Sequence, residues 1–224
     1  SSEADPVGAA VAHAIEAHLE RPGRIAVALS GGRDSVALAS AVATLPGTRV
    51  REPFAIHVNH GLSPHADAWQ AGCAALCASL GMPLVVRRVA VDPADPQGIE
   101  AAARRERYAA LAAAAREAGA AAVLLAHHQD DQAETLLLQL ARGSGPHGLA
   151  GMPGARVDAT GLLWLRPLLG IPRGVVDAWV EARNLPFVDD DSNASPRHRR
   201  NALRLEVVPR LARVFPGYPG TLAR

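Results

Sequence analysis

The chain contains no lysine: all 23 of its basic residues are arginine. That excludes a Gly-x-x-x-x-Gly-Lys-Ser/Thr phosphate loop, a lysine Schiff base and a covalent lysyl-adenylate. Cysteine is nearly absent. Cys73 and Cys77 lie four apart in a helix-like stretch, which is neither a disulfide framework nor a Cys-x-x-Cys pair, so they read as core or helix-surface residues. No excess of one charge is present. A formal net charge of +1 gives no global basic field, so any nucleic-acid surface must be local. There is no long apolar run, no signal-type segment and no internal repeat, which reads as a soluble cytoplasmic chain with no membrane partner. The chain opens at Ser1 rather than Met, which reads as a trimmed start.

What is there is a globular composition. With 49% apolar and 20% charged residues over 224 positions, the chain can bury a core as one α/β domain, with or without a small appendage. Val7, Val11, Ile15 and Leu19 mark a helix stopped by Pro22-Gly23. Strands are predicted over 24–29, 54–60, 83–91 and 121–126. Helices are predicted after the first strand and over 66–80, 99–118 and 131–141, with 142–146 as a breaker. Strand and helix alternate with crossovers too long for hairpins, the pattern of a doubly wound, mainly parallel sheet. Beyond residue 150 the composition shifts. Thr160-Gly161 sits between short extended runs as a hairpin, 173–183 reads as a helix, 189–193 as a polar loop and 197–213 as a basic helix. The domain division is therefore 1–150 for the sheet domain and 151–224 for a small, mostly helical C-terminal appendage.

Ligands of such sheets bind beyond the carboxyl ends of the strands. The first such end carries Ser30-Gly31-Gly32-Arg33-Asp34-Ser35 between an apolar strand and a helix. Two glycines let backbone N–H groups converge on an anion, the helix adds its positive end, and Ser30 and Ser35 add hydroxyls. Asp34 repels a bare phosphate, so a metal-bound polyphosphate is the natural ligand. The plainer alternative is a βα turn with Ser or Asp as helix cap. After the fourth strand, Asp131 and Glu134 lie three apart at a helix start and share a face. Two carboxylates there suit a substrate amine or, with His127 and His128, a metal; the spacing favours the amine. From Ser192 onward, Arg197, Arg199, Arg200, Arg204, Arg210, Arg213 and Arg224 stand against one acid, Glu206, a local phosphate-binding footprint or a solvated helix face.

The Ser30–Ser35 segment resembles the pyrophosphate-binding loop of the ATP pyrophosphatase superfamily. His57-Val58-Asn59-His60-Gly61-Leu62, Gly98 through Tyr108, and Ala126 through Thr135 resemble motifs of the tRNA(Ile)-lysidine synthetase family. So do Arg142-Gly143-Ser144-Gly145, Gly148 through Met152, Arg166-Pro167-Leu168-Leu169, Asp191-Ser192-Asn193 and Arg200-Asn201-x-x-Arg204. The likeness runs from about residue 24 to about 213. It implies an adenine nucleotide alpha hydrolase-like fold. It implies an enzyme, an ATP-dependent ligase. That family uses Mg-ATP to adenylate C2 of the wobble cytidine in CAU-anticodon isoleucine tRNA. Free L-lysine then displaces AMP to give lysidine. Carried over residue by residue, Ser30, Gly31, Gly32, Arg33, Asp34, Ser35, His57, Asn59 and His60 bind ATP, with Asp34 facing Mg2+ and the His57–His60 stretch flanking the adenosine through backbone more than side chain. Asp34, Arg104, Asp131 and Glu134 are catalytic, Arg107 standing second to Arg104. Asp131 and Glu134 hold the lysine. Arg142, Arg200 and Arg204 meet tRNA. The resemblance leaves room for a homodimer. It departs at Leu205, where the family often has His, and at Arg224, beyond which many relatives carry a longer tRNA-gripping region, so either reduced tRNA affinity or a truncated chain is expected. A tRNA thiolation enzyme of the same superfamily and a non-catalytic nucleotide-binding module are the competing readings.

Overall fold

A computed structural model describes residues 5–19, 23–47, 51–145, 148–188 and 199–223. The Asp189–Asn193 loop, Arg197, Pro22, Pro146 and Arg224 lie outside the described residues.

Short apolar runs become strands: β1 (Arg24–Ala28), β2 (Phe54–Asn59), β3 (Leu84–Arg88) and β4 (Ala120–Leu124). Alanine-rich periodic segments become α1 (Pro6–His18), α2 (Arg33–Thr44), α3 (Ala66–Leu80), α4 (Ile99–Glu117) and α5 (Gln129–Ala141). A left-handed Gly81 closes α3 at φ 62°, a conformation glycine adopts without strain. Then follow β5 (Ala155–Val157), β6 (Leu163–Leu165) and α6 (Arg173–Ala182). The basic C-terminal helix is α7 (Arg199–Ala202), a π-helical segment (Leu203–Val207) and α8 (Val208–Val214), with α9 (Tyr218–Leu222) after it.

The sheet order is β3-β2-β1-β4-β6-β5. β5 pairs antiparallel with β6, and every other pairing is parallel. This is the expected doubly wound, mainly parallel architecture. The 155–165 hairpin, grouped by sequence with the appendage, is part of the central sheet, because β6 pairs with β4 through Ala122, Val123 and Leu124. Residue 150 is thus not the edge of the sheet.

Alternate strand residues feed two apolar layers. Ile25, Val27, Ala122 and Leu124 pack with Val7 and Val11 of α1, Val36 and Leu38 of α2, Cys73 and Leu76 of α3 and Val176 of α6. Ala26, Phe54, Ile56, Val123 and Trp164 pack with Leu111, Ala114 and Ala115 of α4. Burial on both faces is what keeps a parallel sheet together. Strand order reverses between β1 and β4, and the crevice at their carboxyl ends is where such folds bind ligands.

Candidate functional site

β1 leads into Ser30, Gly31 and Gly32, and α2 begins at Arg33. The loop is therefore shorter than its motif: Arg33, Asp34 and Ser35 form the first helical turn. Gly31 has φ 95°, and a Cβ there would approach Cys73 Sγ to 3.2 Å. Ser35 is buried and braces the loop from inside. Its hydroxyl accepts the N–H groups of Ser30 and Gly31, both at 3.2 Å, and donates to the Gly32 carbonyl at 2.8 Å. Ser35 is thus not a free donor toward a ligand. Gly32 caps α2 with no side-chain hydrogen bond, which leaves the positive end of a 12-residue helix uncapped by side chains.

The loop is held from below and from the side. His57 Nδ1 donates to the Leu29 carbonyl at 2.9 Å and stands 3.4 Å from Cys73 Sγ. Burial lowers the His57 pKa, opposed by that hydrogen bond. Val188 N–H donates to the Gly31 carbonyl at 2.9 Å. Asn59 is buried and serves structure: its amide donates to Asp67 and Gln70 and its carbonyl accepts from Gly61 N–H. The side chains of His57 and Asn59 are accordingly committed within the fold rather than turned to a nucleotide. Arg33 also turns away. It pairs with Glu181 at 3.0 Å and Asp177 at 3.4 Å and lies 4.2 Å over the Phe187 ring. Cys73, placed by sequence away from the strand ends, lies directly beneath the loop. Burial, with Cys77 nearby, pushes its thiol up to about 12, and burial pushes Cys77 to about 11.

His128 ties the two acidic positions together. It caps α5, and its Nδ1 accepts the Asp131 N–H at 3.3 Å while Asp131 Oδ2 accepts the His128 N–H at 3.1 Å. An accepting Nδ1 leaves the ring proton on Nε2. Nε2 lies 3.5 Å from Asp131 Oδ2 and 3.7 Å from Asp34 Oδ2. Burial raises the Asp34 pKa; His128 and Arg173 oppose this, and Asp131 and Asp177 add to it. Asp34 Oδ1 is buried without a hydrogen-bond partner. Asp131 is held below the usual carboxylate range: burial raises it, but His128, His127, the His128 N–H and Arg200 outweigh burial.

Asp131 and Glu134 do come together, and a cation is already between them. Arg204 donates from Nε and Nη2 to the two Glu134 oxygens at 2.7 and 2.9 Å, and Nη2 is 3.5 Å from Asp131 Oδ1. Arg200 donates to Thr135 Oγ1 at 2.7 Å and lies 3.7 Å from Glu134. Arg200 and Arg204, read from sequence as RNA contacts, are therefore turned inward onto α5. The outward arginines of the same helical stretch are Arg199, Arg210 and Arg213, and Arg142 at the end of α5 is also exposed. Arg104 lies over the Tyr108 ring at 5.0 Å and donates to its hydroxyl at 3.4 Å. The neighbouring Arg105 pairs with Asp95 and Glu106. His60 keeps an unpartnered Nδ1, and burial, Arg107 and His57 lower its pKa.

Sequence reasoning missed His128 as the link, since a histidine is an uncommon helix cap; the Asp three residues on was the available signal. It also missed Arg173, whose charge reaches Asp34 from α6. Among the described residues no group of three or more His, Cys, Asp or Glu is arranged as a metal cage, and no helix is long and apolar enough to cross a membrane.

A glycine loop, a helix start and paired carboxylates meet where the strand order of this α/β fold reverses. The chain belongs to the PP-loop domain family, whose model matches residues 7–211. It is 51% identical over 202 residues to the tRNA(Ile)-lysidine synthase of Chromobacterium violaceum, covering 88% of this chain and 45% of that protein. The Ralstonia nicotianae protein of the same name is 51% identical, covering 89% and 43%. The chain thus spans less than half the length of these relatives. Among solved structures, the U34-tRNA thiolase NcsA from Methanococcus maripaludis superposes with a TM-score of 0.81 at 18% identity, over 97% of this chain and 76% of that one. At that identity the likeness is one of fold.

Proposed function

We propose that this chain is the nucleotide-activating part of a tRNA(Ile)-lysidine synthase. ATP binds with its pyrophosphate on the Gly31-Gly32 loop and the α2 N-terminus. AMP is transferred to C2 of the wobble cytidine in a CAU-anticodon isoleucine tRNA, and the amine of free L-lysine then displaces AMP. The observation that carries the reading is the line from loop to acidic pair: Asp34, His128 and Asp131 in sequence, then Glu134 with a cationic side chain in its grip. The matched relatives support the choice of reaction.

Mg2+ fits Asp34. Its buried, unpartnered Oδ1 is a hard oxygen that would hold the ion, and a Mg2+ site of this kind would need no all-protein cage. When bound it neutralises the leaving pyrophosphate. The guanidinium of Arg204 marks where an ammonium group sits between Asp131 and Glu134, so lysine binds there by displacing it. Arg142, Arg199, Arg210 and Arg213 are exposed and available to RNA phosphates. Arg200 and Arg204 reach RNA only after leaving the acidic pair. Sulfur transfer is disfavoured because Cys73 and Cys77 are held as thiols.

Release of pyrophosphate from ATP tests the proposal. It should require isoleucine tRNA, fail with methionine tRNA and vanish in Asp34→Ala. Release independent of RNA would count against it, and a chain that binds ATP but never turns it over is a binding module.

A further inference from the structure

Beside the loop and the acidic pair, the carboxyl edge of the sheet carries a second concentration of positive charge. His127 follows β4, Arg166 follows β6, and Arg104 and Arg107 come from α4. Arg166 is only 8% exposed. Its Nη1 donates to the Pro153 carbonyl at 2.8 Å, and its Nε is buried with no partner. His127 Nδ1 and His60 Nδ1 are also buried and unpartnered. A guanidinium has donors only, and no described residue offers Arg166 Nε an acceptor. Burial, with Arg166, Arg104 and Arg107 outweighing Asp131, pushes the His127 imidazole down to about 3. Burial lowers Arg107, with Arg104 and Arg200 adding to it and Tyr108 opposing. Among the described residues none of Arg104, Arg107 or Arg166 forms an ion pair with a carboxylate; the nearby pairs belong to Arg105 and to Arg200 and Arg204. Among the described residues, donors and positive charge gather here with no carboxylate in an ion pair with the three arginines.

We propose that Arg166, Arg107 and His127, with His60 beside Arg107, form a second anion subsite that takes a phosphate group, separate from the Gly31-Gly32 loop. The inference rests on the reading of the chain as acting on ATP and RNA. The phosphate is either the nucleotide's own α-phosphate or a phosphodiester of the RNA. Both present oxygen acceptors to a guanidinium in the same way. Arg166 is the residue this adds: it follows β6, and its buried side chain carries an unused donor.

The test is direct binding by the full chain, with Mg-ATP as one probe and a CAU anticodon stem-loop RNA as the other. Arg107→Gln and Arg166→Lys are compared with wild type, and melting temperature is recorded alongside. Loss of one charge-assisted contact should weaken binding about tenfold or more, and Arg107→Lys should recover most of it. A loss confined to ATP assigns the subsite to the nucleotide. A loss confined to RNA, with the salt slope reduced by about one, assigns it to the RNA backbone. Loss of both in Arg107→Gln at unchanged melting temperature means both phosphates share it. Affinities within twofold of wild type in both variants overturn the proposal. So does a loss seen only in Arg166→Lys together with a lowered melting temperature, which marks a structural arginine. Wild-type chain that binds neither probe refutes the function proposed above, whereas wild-type binding untouched by the variants refutes the subsite alone.

Discussion

Replacing Arg204 with alanine removes both hydrogen bonds to Glu134 and leaves that carboxylate, with a side chain 4% exposed, facing Arg200 at 3.7 Å. Breaking a buried pair from one side costs about 3–5 kcal/mol, because the remaining charge stays desolvated. Arg204 is itself 26% exposed and Arg200 remains, so the cost belongs near the lower end, about 3 kcal/mol. For a chain of this length that is a melting temperature lower by roughly 6–12 °C. The double variant Arg204→Ala/Glu134→Gln removes both charges and should recover about 2 kcal/mol of the loss. The assay is denaturant unfolding of wild type, both single variants and the double variant, read as a double-mutant cycle. Lysine adds a second readout. If the pair binds its ammonium, saturating lysine raises the melting temperature of Arg204→Ala more than that of wild type, since no internal cation competes. A cost below about 1 kcal/mol, the range of an exposed pair, would refute the reasoning. So would a lysine response equal in both proteins.

Three further outcomes follow from the same geometry. Burial holds the Asp34 pKa up, so ionising it weakens the fold as pH rises through its folded value. Asp34→Asn should therefore melt higher than wild type at pH 7, with the gap closing toward pH 4, while pyrophosphate release falls by about 10²–10³. Gly31→Ala forces a side chain into φ 95° against Cys73; about 1–2 kcal/mol of strain should appear as a lower melting temperature and weaker ATP binding by titration calorimetry. Asp158 accepts from the Thr160 hydroxyl at 2.6 Å and Trp164 Nε1 at 3.0 Å, which holds its carboxyl far below the usual range. Its contribution is complete above about pH 4 and lost as pH falls, so Asp158→Asn should lose less stability than wild type between pH 5 and pH 3 in a series of thermal melts.

The sheet was legible because its signals are local. Ala120–Leu124 is a wholly apolar run, Gly81 and Gly119 end helices with positive φ, and each βα alternation has one sensible topology. The hairpin at 155–165 was legible as a hairpin but not as part of the sheet. Pairing of Leu163–Leu165 with Ala122–Leu124 is a contact between distant segments, which periodicity does not encode. The site divides in the same way. The placement of Gly31, Gly32 and Asp34 between strand and helix was legible because a strand-to-helix loop is a local feature. Where a side chain points depends on what else packs there. Arg33 turned to Asp177 and Glu181 on α6, and Arg204 turned to Glu134, because oppositely charged groups some 70 or more residues away offered better partners than solvent. Ser35 and His57 became internal braces for the same reason: buried backbone N–H and carbonyl groups of the loop needed partners.

The measurement that bears most directly on the account is transfer of labelled L-lysine to RNA by this chain. The reaction contains Mg-ATP and either a CAU-anticodon isoleucine tRNA transcript or a methionine tRNA transcript. The account predicts one lysine per isoleucine tRNA, none in methionine tRNA, and none with Asp34→Ala. Label entering both RNAs equally, or ATP cleaved in the presence of isoleucine tRNA with no lysine joined to it, would contradict it.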